Sequence, residues 1–173
     1  MHSTRTSFLL SLSLTLALTA AMLPSNIWAK DKSELGKPAP DFTLRGLSSD
    51  DAITLSSLKG RVVLIDFWAS WCHPCRQLMP RIAEIKTRFP DVEVIAISVD
   101  TDRDKALTFV RAIEPGLRPV HDTAQKVADA YDVERMPSSF LIDKQGNLRF
   151  RHDGYGSKAL ASVERQLQLL LNE

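Results

Sequence analysis

Residues Val63 to Pro80 read VLIDFWASWCHPCRQLMP and follow Arg61-Val62. Arg61 to Phe67 is nearly continuous apolar, the mark of a strand buried on both faces. Leu78, Ile82, Ile85 and Phe89 then recur at helical spacing and make one apolar face. Between the two lie Cys72 and Cys75, the only cysteines of the chain. The pair thus falls at a strand-to-helix junction. There the free amide N–H groups and the helix dipole stabilise a thiolate on the first cysteine. A thiolate is the attacking species in thiol–disulfide exchange. The second cysteine, one turn into the helix, can resolve the mixed disulfide. An inert structural disulfide is the alternative reading, although so short a ring stabilises little. No Cys, His, Asp or Glu group nearby completes four ligands, so neither a metal nor a cofactor is expected.

Outward from this stretch, Val92 to Val99 reads as a second buried strand. Ala106, Phe109, Val110 and Ile113 form a helical stripe. Ala124, Val127, Ala128 and Tyr131 form another, with Asp122 as its N-cap. Ser139 to Asp143 and Leu148 to His152 are strands around the turn Lys144–Asn147, an antiparallel hairpin with one wet face. Leu160, Val163, Leu167 and Leu170 line a final helix. Upstream, Asp41–Leu44 and Ala52–Leu55 are consistent with a β-hairpin. The order β-β-β-α-β-α-α-β-β-α describes a mixed-sheet α/β sandwich.

The 173 residues are 44% hydrophobic and 25% charged, with 22 basic against 21 acidic residues. That suits one globular domain and gives no basic surface for nucleic acid. Two cysteines exclude a disulfide-stapled scaffold and a four-cysteine zinc site. Residues 1–29 have the three regions of a secretory signal peptide: a weakly basic start at Arg5, an apolar run Phe8–Met22, and Pro24 before Ile27-Trp28-Ala29. Cleavage after Ala29 is expected, and with it a periplasmic location; an uncleaved membrane anchor is the alternative. Residues 30–40 read as a polar, Pro-rich linker, and 41–173 as the domain.

Val63 to Pro80 resembles the active-site segment of thioredoxin-fold proteins. Gly36 to Phe42 (GKPAPDF), Leu55 to Gly60 (LSSLKG), Val99 to Asp102 (VDTD), and Tyr131-Asp132-Val133 with Met136 to Asp143 (MPSSFLID) resemble the secreted TlpA/ResA-like branch. The resemblance covers residues 36–171. It implies a thioredoxin-like mixed-sheet sandwich with an N-terminal β-hairpin and an inserted βα element. It also implies that Cys72 is the exposed nucleophile and Cys75 the buried resolving thiol. Pro137, whose isomer the residues alone leave open, would be a cis-proline facing the dithiol, with the Met136 backbone placed to pair with a bound peptide. Pro80 would kink the dithiol helix. Trp71 would pack beside the active site, and Trp68 would be the core aromatic.

Asp66 is a carboxylate inside an apolar strand. Burial would raise its pKa and let it exchange a proton near neutral pH; a solvated strand-end residue is the alternative. In thioredoxins the matching aspartate sits behind the resolving cysteine and helps deprotonate it. Secreted relatives often carry Asn there and Glu three residues after the second cysteine, where this chain has Leu78. His73 and Pro74 are expected to set the redox poise. Pro74 matches reducing thioredoxins. A protonated His73 would stabilise the Cys72 thiolate and favour the reduced form. His121 and His152 read as surface residues. Asp100, Asp102 and Asp104 read as capping and flanking the following helix.

The function expected is a secreted thiol:disulfide oxidoreductase, reducing disulfides of partner proteins and recharged by a membrane redox partner. The protein is expected to be a monomer. A thiol peroxidase of the peroxiredoxin class shares the early hairpin and the PDF start, but its Thr-x-x pattern before the cysteine is missing. A copper-delivery chaperone would need Cys-x-x-x-Cys and a distal His, and the spacing here is wrong.

Overall fold

The structure is a computed structural model that describes residues 35–111 and 117–173. The leader segment and Ile113 lie outside the described residues. Two six-residue strands, β3 (Val63–Trp68) and β4 (Glu93–Ser98), are buried along their whole length. They pair in parallel, with Asp66 opposite Ala96. They form the centre of a five-stranded sheet whose outer members are β5 (Arg118–His121), β6 (Ser138–Ile142) and β7 (Leu148–Asp153), in the order β5-β4-β3-β6-β7. β5 runs parallel to β4, whereas β6 and β7 are antiparallel. β1 (Thr43–Arg45) and β2 (Ala52–Thr54) make a separate hairpin, followed by a 3₁₀ turn over Leu55–Leu58.

Among the described residues four helices complete the domain: α1 (His73–Arg88), α2 (Arg103–Val110), α3 (Lys126–Ala130) and α4 (Ser157–Asn172). On one face of the sheet Leu64 and Leu141 pack with Leu78, Ile82 and Ile85 of α1 and with Val163, Leu167 and Leu170 of α4. On the other face Ile65, Phe67 and Phe140 meet the β1–β2 hairpin and the buried residues of α2 and α3. Tyr131 sits among Phe42, Phe67 and Phe140, with ring centroids 5.1–6.4 Å apart. Its hydroxyl donates to the Pro40 carbonyl at 2.9 Å. This is the mixed-sheet sandwich that the pattern predicts, in the thioredoxin-like form that the resemblance implies.

Three local readings are corrected. β5 was not anticipated. Only one of its four residues is buried and one is Pro119, so it carries no strand signal and sits at the sheet edge. It follows α2 and lies between β4 and α3 in the chain. Ala124 is exposed, and α3 begins only at Lys126. Asp122 nevertheless caps the helix, accepting from the Val127 and Ala128 amides at 2.9 Å. Residues 36–39, within the segment read as a linker, run along the β6–β7 turn. Gly36 donates to the Leu148 carbonyl and Ala39 to that of Gly146.

Candidate active site

The C-terminal end of β3 delivers the chain into the loop Ala69–Trp71 and directly into α1. That loop is tied down on every side. The Ser70 amide and hydroxyl donate to the Asp100 carboxylate at 2.8 and 2.7 Å. The Ser70 carbonyl accepts from Arg76 at 2.8 Å. The Val99 amide donates to the Trp68 carbonyl, and the Cys72 amide to that of Ala69. The Arg76 guanidinium also lies over the Phe109 ring, 5.3 Å from its centroid, and Phe109 stacks on the buried Trp68 at 4.9 Å. Asp100, at the end of β4, therefore anchors the loop before the cysteines and does not cap α2. Asp102 does that, accepting from the Asp104 and Lys105 amides. His121 is half-buried, with its ring 2.7 Å from the Asp100 carbonyl.

Cys72 is the N-cap of α1, His73 opens the helix and Pro74 follows in its first turn, where a missing N–H costs nothing. Cys72 and Cys75 are joined in a disulfide with Cα atoms 5.3 Å apart. The Cys75 amide donates to Cys72 Sγ at 3.2 Å. A helix N-terminus thus directs a donor at the sulfur where negative charge would develop on reduction. Cys72 is only 5% exposed and Cys75 is fully covered. The expected exposure of Cys72 is corrected accordingly: in the disulfide form Cys72 is buried where it lines a cleft. The Cys75 side chain belongs to the sheet-facing stripe of α1 with Leu78, Met79 and Ile82, all buried. Pro80 stands inside α1.

The cleft measures about 500 Å³ and is walled by Trp71, Cys72, His73 and Pro74 on one side and by α3 and the loop to Met136 on the other. Trp71 is 68% exposed, and Trp68 is fully buried. The Met136–Pro137 peptide bond is cis. Gln125, Asp129, Val133, Glu134 and Arg135 complete the wall. They come from α3 and the following loop, and nothing in the local pattern marks them.

Asp66 is fully buried in the centre of β3. It alternates with Leu64, so it faces the side of the sheet on which Leu78, Ile82 and Ile85 of α1 and Val163, Leu167 and Leu170 of α4 pack. Its Oδ1 accepts from the Ser139 hydroxyl at 2.7 Å, across the β3–β6 register. Its Oδ2 has no partner. Burial pushes its pKa up to about 7, and the Ser139 hydrogen bond opposes the rise. The reading of Asp66 as a solvated strand-end residue is thereby excluded. Trp68 Nε1 is likewise buried without a partner. His152 is half-buried, with Nε2 2.6 Å from Gln166 Oε1 of α4. Among the described residues there is no cluster that could hold a metal ion, and no helix long and apolar enough to cross a membrane.

The model of the AhpC/TSA family matches residues 35–151. Among curated relatives, thiol-disulfide oxidoreductase ResA of Bacillus anthracis is 36% identical over 121 residues, 69% of each chain. Thioredoxin-like protein YneN of Bacillus subtilis is 32% identical over 138 residues, covering 78% of this chain and 79% of that one. Among solved structures, a protein named as thiol:disulfide interchange protein DsbE from Chlorobium tepidum superposes with a TM-score of 0.76 at 32% identity, over 80% of this chain and 98% of that one. The chain belongs to the AhpC/TSA family, as a thiol-disulfide oxidoreductase of its TlpA/ResA-like, thioredoxin-fold branch.

Proposed function

We propose that this oxidoreductase acts outside the cytoplasm as a reductase of disulfides in partner proteins, through a cycle centred on Cys72. The reduced Cys72 thiolate attacks a disulfide sulfur of the partner. A Cys72–partner bond forms, and the partner's other sulfur leaves as a thiolate and takes up a proton. Cys75 then gives its proton to Asp66 and attacks Cys72 Sγ. The mixed disulfide breaks, the partner departs with both thiols, and the Cys72–Cys75 disulfide remains. Two electrons have moved to the partner, and a membrane redox partner returns them to the dithiol.

The observation that carries this reading is the pair of unequal sulfur environments. Cys72 lines the cleft and its Sγ receives the Cys75 amide, whereas Cys75 is fully buried and does not line the cleft. An attacking and a resolving thiol need such a division. The cleft beside Trp71, His73, Pro74, Met136 and Pro137 suits an extended peptide held next to the disulfide. Pro74 and the near-neutral Asp66 support the reducing direction. We further propose that residues 1–29 are a leader cleaved after Ala29 and that the mature protein is monomeric.

Equilibration of the dithiol with glutathione tests the direction. A potential nearer about −270 mV, as in thioredoxin, supports a reductase; one nearer about −120 mV, as in a dedicated oxidant, overturns it. Peroxide turnover without reduction of insulin disulfides would favour the peroxidase reading, and tight copper binding by the reduced protein would favour the chaperone.

A further inference from the structure

Asp66 and Ser139 are 73 residues apart in sequence and meet only through the β3–β6 pairing. The Ser139 hydroxyl occupies one carboxylate oxygen of Asp66 and leaves the other, equally buried, without any partner. We infer that Ser139 is a positioning residue for the reaction: it holds the Asp66 carboxyl so that Oδ2 is the atom receiving the Cys75 proton, and it tunes how readily that proton is held. This inference rests on the proposed role of Asp66 as proton acceptor.

The surroundings leave the tuning to Ser139. From β4 the register partner of Asp66 is Ala96, which carries no charge. On α1, Cys75 is bound in the disulfide, and Arg76, Arg81, Glu84 and Arg88 are exposed. From α4, Glu164 pairs with Arg88, and Arg165 bonds Ser162. β7 contributes His152, the register partner of Ser139, whose Nε2 is engaged with Gln166 of α4. Burial and the Ser139 hydroxyl are the influences that set the Asp66 pKa, acting in opposite directions. A hydroxyl that donates to the charged form favours it. Without Ser139, Asp66 would hold its proton to higher pH and would be a poorer acceptor at neutrality.

Ser139→Val and Ser139→Thr make the test, because they match in size and differ in the hydroxyl. Two readouts are needed. In the oxidised protein, the carbon-13 resonance of the Asp66 carboxyl is followed against pH, with no thiol chemistry involved. In the reduced protein, resolution of a mixed disulfide is followed by stopped flow from pH 5 to 9. The valine variant should titrate at higher pH and resolve about three- to tenfold more slowly at pH 7, with the rate recovering as pH rises. The threonine variant should restore both readouts. Coincident Asp66 titrations in the valine and threonine variants would overturn the inference. Asp66→Asn separates the two levels: if it leaves resolution unchanged, the proton-acceptor reading itself fails, whatever Ser139 does to the titration.

Discussion

Ser70 and Asp100 are joined twice, by the Ser70 amide and by its hydroxyl, each donating to a separate oxygen of a carboxylate that is 2% exposed. The Ser98 hydroxyl donates to the same carboxylate at 2.9 Å. The segment that leads into Cys72 is thereby fixed to the end of the neighbouring strand. Asp100→Ala would leave three buried donors without a partner. The expected loss is about 2–5 kcal/mol in denaturant unfolding of the oxidised protein, against about 1 kcal/mol for Ser70→Ala. Asp100→Asn, which keeps one acceptor oxygen, should fall between them. Equal stability of Asp100→Ala and the parent would mean that the loop is held by its other contacts.

The buried Asp66 has a pH signature of its own. Its pKa in the folded protein is raised to about 7 by burial, while in the unfolded chain it titrates near 4. Between these values the folded state binds the extra proton. Stability contributed by the protonated carboxyl is therefore fully present below pH 4 and lost as pH rises through 7. The loss amounts to roughly 4 kcal/mol. Asp66→Asn should remove this dependence and leave the variant more stable than the parent at pH 8, with a smaller difference at pH 5. Urea midpoints measured across pH 4–9 check this; a variant less stable at pH 8 would show that the carboxylate form is well solvated or paired.

His73 is exposed at the first position of α1, between the two cysteines. A cation there stabilises the Cys72 thiolate and so the reduced protein. His73→Gln should make the dithiol more reducing, by on the order of 10 mV. Glutathione titrations of the variant and the parent give the comparison, and an unchanged potential would assign His73 no electrostatic part.

Reduced protein should show unequal thiols. Cys72 lines the cleft and Cys75 does not, so alkylation with iodoacetamide at pH 7, read by peptide mass spectrometry, should modify Cys72 at least about tenfold faster. Comparable rates would contradict the assignment of attacking and resolving roles.

What was legible in the sequence follows a physical line. The two buried strands, the dithiol helix and the final hairpin are written in local patterns: runs of branched apolar residues, a repeat at helical spacing, and a turn whose Gly146 takes φ +88°. The position of Cys72 and Cys75 and the burial of Asp66 follow from the same patterns. β5 was not legible because an edge strand needs no apolar run. Asp100 and Ser139 were not legible as site residues because their partners Ser70 and Asp66 lie 30 and 73 residues away, and register alone brings them together. The depth of Cys72 depends on the cleft wall from α3, a tertiary feature that the motif around the cysteines does not encode.

The central claim is that Cys72 forms the bond to the partner and Cys75 breaks it. The most direct measurement is mass spectrometry of the complex formed when reduced Cys75→Ser protein meets a model peptide containing one disulfide. The account predicts a stable adduct attached through Cys72, and no adduct with Cys72→Ser under the same conditions. An adduct carried by Cys75 in the Cys72→Ser protein, formed as fast as any on Cys72, would contradict it.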